Sequence, residues 1–262
     1  MSRLKKYIPF IAFILVLFML LLPLQGRINR LRVEKELVET DIFETTTPSD
    51  IWGTLLLAGF RGVAVDMLWV QAINLQQEGK FFELLTLYQL ILDLQPHFVN
   101  IWAYSAWNMA YNISNDMETK EQKWQWIQKG LALLRKGIKR NPKSYILYFE
   151  LGWFYFHKVE ADPYYGEQLK KEGKNNYFLA LYWFKQASKI EPHPSYVERI
   201  IAHTWEKLAA RAEREGNIEK RDEYRIEALR QWKKNVKKYP HDKVSRSAYI
   251  YWKKILGKEN NS

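Results

Sequence analysis

Two hydrophobic patterns divide the chain. From Tyr7 to Leu24 every position is apolar, a run of 18 residues that as a helix would be roughly 27 Å long, close to the hydrocarbon thickness of a bilayer. Beyond residue 48 the apolar positions recur instead at three- and four-residue spacing. Proline falls mainly at the ends of these patterns, and no two-residue alternation is found. That period predicts helices with one buried face, and therefore an all-α fold after a single N-terminal transmembrane helix.

The apolar run follows Arg3, Lys5 and Lys6, as a cleavable signal peptide's would. Cleavage needs small residues at the end of the run, yet "LLPLQGR" offers only Gly26, with Leu24 where a second should stand. Residues 1–26 are therefore expected to be a basic tip and an uncleaved signal anchor in contact with the lipid bilayer. A short basic tip stays on the cytoplasmic side, with Arg27, Arg30, Arg32 and Lys35 competing against it, so the bulk of the chain is expected outside the cytoplasm, on the periplasmic side. Residues 27–47 predict a charged helical stalk carrying Ile28, Leu31 and Val38 on a thin apolar stripe. Thr47 followed by Pro48 is a helix start signal for a cap helix over 48–65.

Four prolines then mark a repeat: Pro96, Pro142, Pro192 and Pro240 are separated by 46, 50 and 48 residues. An amphipathic stretch precedes each, such as "FLALYWFKQASKIEP", in which Ala180, Phe184, Ala187 and Pro192 follow a small–ring–small–proline order. Residues after each proline supply a partner stretch, best seen in "YFELGWFY" with Tyr148, Leu151, Gly152 and Tyr155. On these motifs residues 66–242 resemble four tetratricopeptide repeats, with 243–262 as a closing helix whose Ile250, Ile255 and Trp252 cover the last pair. The resemblance implies a solenoid of antiparallel helix pairs, in which small residues let paired helices approach and rings fill the space beside them. Standard repeats have about 34 residues, so the later copies carry insertions between their two helices. "SNDMETKEQ" and "EADPYYGEQLKKEGKN" read as loops, and the stretch around Gly216 reads as helix with a break.

Composition narrows the chemistry. There is no cysteine, which removes disulfides, thiolate metal sites and thiol catalysis. His97, His193 and His241 each follow a ruler proline, so they recur as helix-end residues rather than converge as ligands. No HExxH, phosphate-binding Gly-rich loop or GxSxG occurs. The sequence predicts no catalytic residue, no metal and no cofactor, and the protein is expected not to be an enzyme.

Charge is uneven along the formal total of +11. Residues 1–40 hold seven basic against three acidic side chains, 41–100 two against seven, and 205–262 sixteen against nine. The basic C-terminal helices raise an alternative function, binding of RNA or another anionic partner. Their charges are interleaved with Glu and lie apart from the rings that would stack on bases, so nucleic acid is disfavoured.

The tetratricopeptide resemblance implies a protein partner in a concave groove lined by the first helix of each pair. Carried over by position, the groove residues are Trp69, Ile73 and Gln76; Asn100, Ala103, Trp107 and Tyr111; Phe149, Trp153 and His157; Arg199 and His203. This makes the chain a membrane-tethered scaffold or adaptor at the cell envelope. Two readings of its rings stay open at this point: they grip an apolar segment of a partner, or they are buried within the fold or by a second copy in a homo-oligomer.

Overall fold

The computed structural model describes residues 61–259, together with Pro23, Arg27 and Leu31 as helical positions. The expected membrane span over 7–24, the rest of the stalk over 27–47 and most of the cap helix over 48–65 lie outside the described residues. Among the described residues no helix is long and apolar enough to cross a membrane. They are all-α, with no strand, and the chain divides into two compact units, residues 1–97 and 98–262.

In the first unit α1 (Arg61–Gln77) and α2 (Phe81–Leu94) form a hairpin. Gly79 closes it in the left-handed region at φ +70°, where a side chain would be strained. Ala72 of α1 and Leu84, Tyr88 and Ile91 of α2 are buried in its core. The chain is continuous helix across residues 61–65, so the expected boundary between cap helix and first pair at 65/66 is not a break in structure. The division also sets this pair apart from the other three.

The second unit holds three helix pairs and a closing helix. Its elements are α3 (Val99–Trp107), α4 (Lys120–Arg140), α5 (Tyr145–Trp153), α6 (Pro163–Lys171), α7 (Asn176–Ala187), α8 (Ser195–Arg214), α9 (Ile218–Lys238) and α10 (Lys243–Glu259). Helix α3 packs on α4, α5 on α7 and α8 on α9, while α4 meets α5, α7 meets α8 and α9 meets α10. Each successive pair therefore covers the apolar face its predecessor leaves open. Pro142, Pro192 and Pro240 all sit in the short links between pairs.

Local chemistry fixes the helix ends. Thr119 and Gln122 form a reciprocal capping box at α4, Asp162 caps α6 with Pro163 at its first position, and Asn175 and Asn217 cap α7 and α9. Gly216, at φ +73°, makes the break between α8 and α9. The insertions are thus mainly helix. The 20- and 21-residue helices α8 and α9 match the reading around Gly216, but the stretch expected to loop after Glu160 contains α6, because Asp162–Pro163 is a strong start signal followed by amphipathic "YYGEQLKK". The other expected loop shrinks to a few residues between Asp116 and Lys120.

Glycine sets the helix-to-helix distance. A Cβ on Gly152 of α5 would lie 2.6 Å from the ring of Phe184 on α7, and one on Gly130 of α4 would lie 2.8 Å from the Ala106 carbonyl of α3. Gly137 of α4 is set a little less tightly against the indole of Trp102, at 3.0 Å. Phe184, Ala180 and Ala187 are fully buried, as are Ala228 and Trp232 of the next pair. Asn235 stands where that pair's motif asks for a small residue, and its buried side-chain nitrogen has no hydrogen-bond partner. On α10, Trp252 and Ile255 are half-buried, but Ile250 is 60% exposed and does not cover the last pair as expected. It is two residues from Trp252, which places it on the opposite side of the helix.

Gly152→Ala is expected to destabilise the protein by about 1–3 kcal/mol through overpacking against Phe184. Gly166→Ala, inside α6 with no atom near its Cβ position, is expected to stabilise by about 0.5–1 kcal/mol. Urea melts of the two variants check both signs.

Candidate functional site

The first helices of pairs two and three carry rings at matching places, 46 residues apart. Trp107 ends α3 and Trp153 ends α5, and each helix continues directly into a π-helical turn, Asn108–Ile113 and Phe154–Lys158. Tyr111 and His157 lie in these turns. Such π turns are uncommon and concentrate at functional sites.

The rings form one ladder. Trp107 stacks on Tyr111 with centroids 5.3 Å apart, Tyr111 on His157 at 5.9 Å, and His157 on Trp153 at 5.2 Å with ring planes 6° apart. Phe149 continues it, 6.3 Å from Trp153, and meets Tyr196 of α8 edge-on at 5.1 Å. A hydrogen bond of 3.2 Å joins the Tyr111 hydroxyl to His157 Nδ1. Six rings from three helices thus share one surface, each contact worth about 0.5–1.5 kcal/mol beyond its buried area. Phe149 also leans on the core ring of Phe184 at 5.4 Å. Trp107, however, is 40% exposed, and Tyr196 and His157 are exposed as well. The rings are thus neither fully buried nor fully free: Tyr111, Phe149 and Trp153 are half-buried while Trp107, His157 and Tyr196 meet water.

The remaining expected groove residues lie outside the ring stack. Trp69, Ile73 and Gln76 lie on α1 in the other unit, with Trp69 against Tyr88 and Ile73 half exposed. Asn100 is exposed and Ala103 half-buried on α3. Arg199 donates to Asp242 at 2.9 Å, and Asp242 also caps α10 through Val244 N and Ser245 Oγ. His203 bonds Glu206, which accepts the indole N–H groups of Trp232 and Trp252. Arg199 and His203 are therefore engaged in holding the closing helix, as the last pair must end the stack.

Position alone misses Tyr196 and Glu150. Tyr196 occupies the place of Asn100 two repeats onward, four residues after its proline in each case, so the proline spacing would have found it. Glu150 follows Phe149 on α5 and has no counterpart to signal it. Burial pushes its carboxyl up to about 7 from an ordinary 4.5. The neighbouring phenols are pushed up as well: Tyr111 first by burial and then by the Glu150 charge, and Tyr196 to about 12 by burial and then by Tyr145, with Glu150 the smallest contribution.

Beside the ladder a cleft of about 480 Å³ runs between Trp153, Phe156, Ile200, His203 and Lys207. A larger cavity of about 850 Å³ lies toward α6, bordered by Asp162, Lys170, Arg214 and Tyr224. There Arg211 is held by Glu160 at 2.5 Å and Asn176 at 3.0 Å and lies over the Tyr177 ring. His193, the buried ruler histidine, is bonded to the Ser188 and Pro194 carbonyls. Among the described residues no group of His, Asp and Glu is placed to hold a metal ion. The chain matches no protein-family model and no curated protein.

Because folding raises the affinity of Glu150 for its proton, the folded state binds more protons than the unfolded chain between about pH 4.5 and 7. Stability from this group is intact below pH 4.5, falls through that window and is level above it. Glu150→Gln removes the loss. Its stability relative to the native protein is expected to improve as pH rises from about 4 to about 8, measured by urea melts at both ends; a constant difference would contradict the burial of Glu150.

Proposed function

We propose that this chain is a membrane-tethered, tetratricopeptide-like scaffold that docks an extended, largely apolar segment of a partner protein on its aromatic ladder, with no catalytic step of its own. The observation that carries the reading is the ladder itself. Matched ring pairs on consecutive first helices, exposed on one side and anchored in the core on the other, make a rigid apolar surface whose order does not have to be built on binding. Trp and Tyr in such a setting supply much contact area at low entropic cost, and residues of this type dominate binding energy at interfaces.

The pairing order of the second unit supports the repeat reading, since each first helix meets its own second helix and the next pair. The tether rests on the apolar run Tyr7–Leu24. Together with the short basic tip it favours a single-pass protein with its repeats on the periplasmic side, assembling or organising complexes at the envelope. Nucleic-acid binding gains no support, because many basic side chains of 205–262 are already taken. Arg221 and Arg225 pair with Glu213, Arg230 with Glu227, and Lys234 and Lys238 with Glu198.

A photo-crosslinking side chain placed at Tyr196 is expected to capture a partner in intact cells. The same side chain at exposed Glu223 is expected to capture none. Trp107→Ala should reduce capture about tenfold or more, as loss of an interface anchor does, measured at a temperature below the variant's own cooperative melt, since the stack on Tyr111 is lost as well. Equal capture at both sites, or capture indifferent to Trp107, would refute the docking surface.

A further inference from the structure

Glu150 is the exception in a unit whose other sheltered carboxylates are satisfied. Glu198 is held by Lys234, Lys238 and Gln231, Glu206 by His203 and two indoles, and Glu160 by Arg211 and Asn176. Asp242 has Arg199 and Ser245. Among the described residues Glu150 has no hydrogen-bond or ion-pair partner, although it is only partly exposed. Its oxygens are not among the fully buried unpaired atoms, so the carboxylate is sheltered by its neighbours yet open to a cation that arrives from solvent.

Its surroundings suit one kind of cation. Glu150 stands three residues before Trp153 and seven before His157, the spacing that puts side chains on one face of a helix. It is thus on the ladder side of α5, directly after the ladder ring Phe149 and one turn before Trp153, which are themselves 6.3 Å apart. The ring faces here accept cations already: the Lys158 ammonium lies 5.0 Å from the Tyr111 centroid, within the range of cation–π attraction. Lys158 itself donates to Asn115 at 3.1 Å and leaves Glu150 unmatched. A guanidinium can lie flat on an aromatic face while its N–H fork meets a carboxylate.

We propose that Glu150 and the Trp107–Tyr111–His157–Trp153 stack form a receptor for the cationic side chain of an arginine, or less tightly a lysine, in the docked segment, which rests on the docking role of the ladder set out above. The receptor gives the apolar groove a register mark. A segment binds with its basic residue beside Glu150 and its apolar neighbours along the rings, and an acidic residue at that place is rejected.

The test uses the full chain in detergent and two acetylated, amidated peptides that differ at one place: leucines and prolines around a single arginine, and the same peptide with glutamine there. Calorimetry is expected to show the arginine peptide binding about tenfold more tightly. Glu150→Gln, checked for folding by its melt, makes the two peptides equal, and Glu150→Asp, which keeps the charge, retains the preference. Trp107→Ala weakens both peptides. A preference that survives in Glu150→Gln overturns the receptor. Equal binding by the native protein, still weakened in Trp107→Ala, overturns the receptor and leaves the docking surface standing. Binding of neither peptide overturns both.

Discussion

The fit of Phe184 against Gly152 is the contact on which the stack depends. A single helix pair of this kind cannot bury its own apolar face, so stability comes from how closely pairs approach. At 2.6 Å from a ring atom to where a Cβ would be, α5 and α7 touch nearly backbone to ring, and the same device recurs between α3 and α4 at Gly130 and Gly137. Once those distances are set, the first helices α3, α5 and α8 follow one another at a spacing that lets rings from neighbours meet. The aromatic ladder is a consequence of that spacing. Trp107 and Trp153 occupy one register, Tyr111 and His157 the next, and Phe149 reaches forward to Tyr196.

The links within the helix pairs give the stack its other features. Both π turns fall just beyond the ring-bearing ends of α3 and α5. The added length holds its own polar interior: α6 borders a cavity in which Arg211, Glu160 and Asn176 satisfy one another. The last pair departs from the others because it must end the stack. Its first-helix positions Arg199 and His203 turn toward the closing helix through Asp242 and Glu206, leaving the ladder without a fourth step.

Much of the fold was legible because its causes are local. The prolines mark links, Ala180–Phe184–Ala187 marks a buried helix face, and Gly216 marks a break, each from the residue's own conformational chemistry. Helix α6 forms where the polar "GEQLKK" suggests a loop, because the Asp162–Pro163 start signal prevails. Of the expected groove, Trp107, Tyr111, Phe149, Trp153 and His157 come together as position implied, since register places them. Arg199 and His203 stand outside the ring stack, His203 only lining the cleft beside Trp153, because their partners Asp242 and Glu206 are chosen by tertiary approach that no spacing encodes. The π turns and the solitary Glu150 were not legible for the same reason: each depends on what neighbouring helices supply, or fail to supply, around it.

The central claim is that the ladder is an open surface seated on a closed core, and the indoles report on both. With fluorotryptophan incorporated throughout and resonances assigned by single substitutions, a soluble paramagnetic agent should broaden Trp107 strongly and leave Trp102 and Trp232, each at most 2% exposed, untouched. Equal protection of Trp107 and Trp102 in the isolated protein would contradict the account, because it would mean that the ladder is already covered.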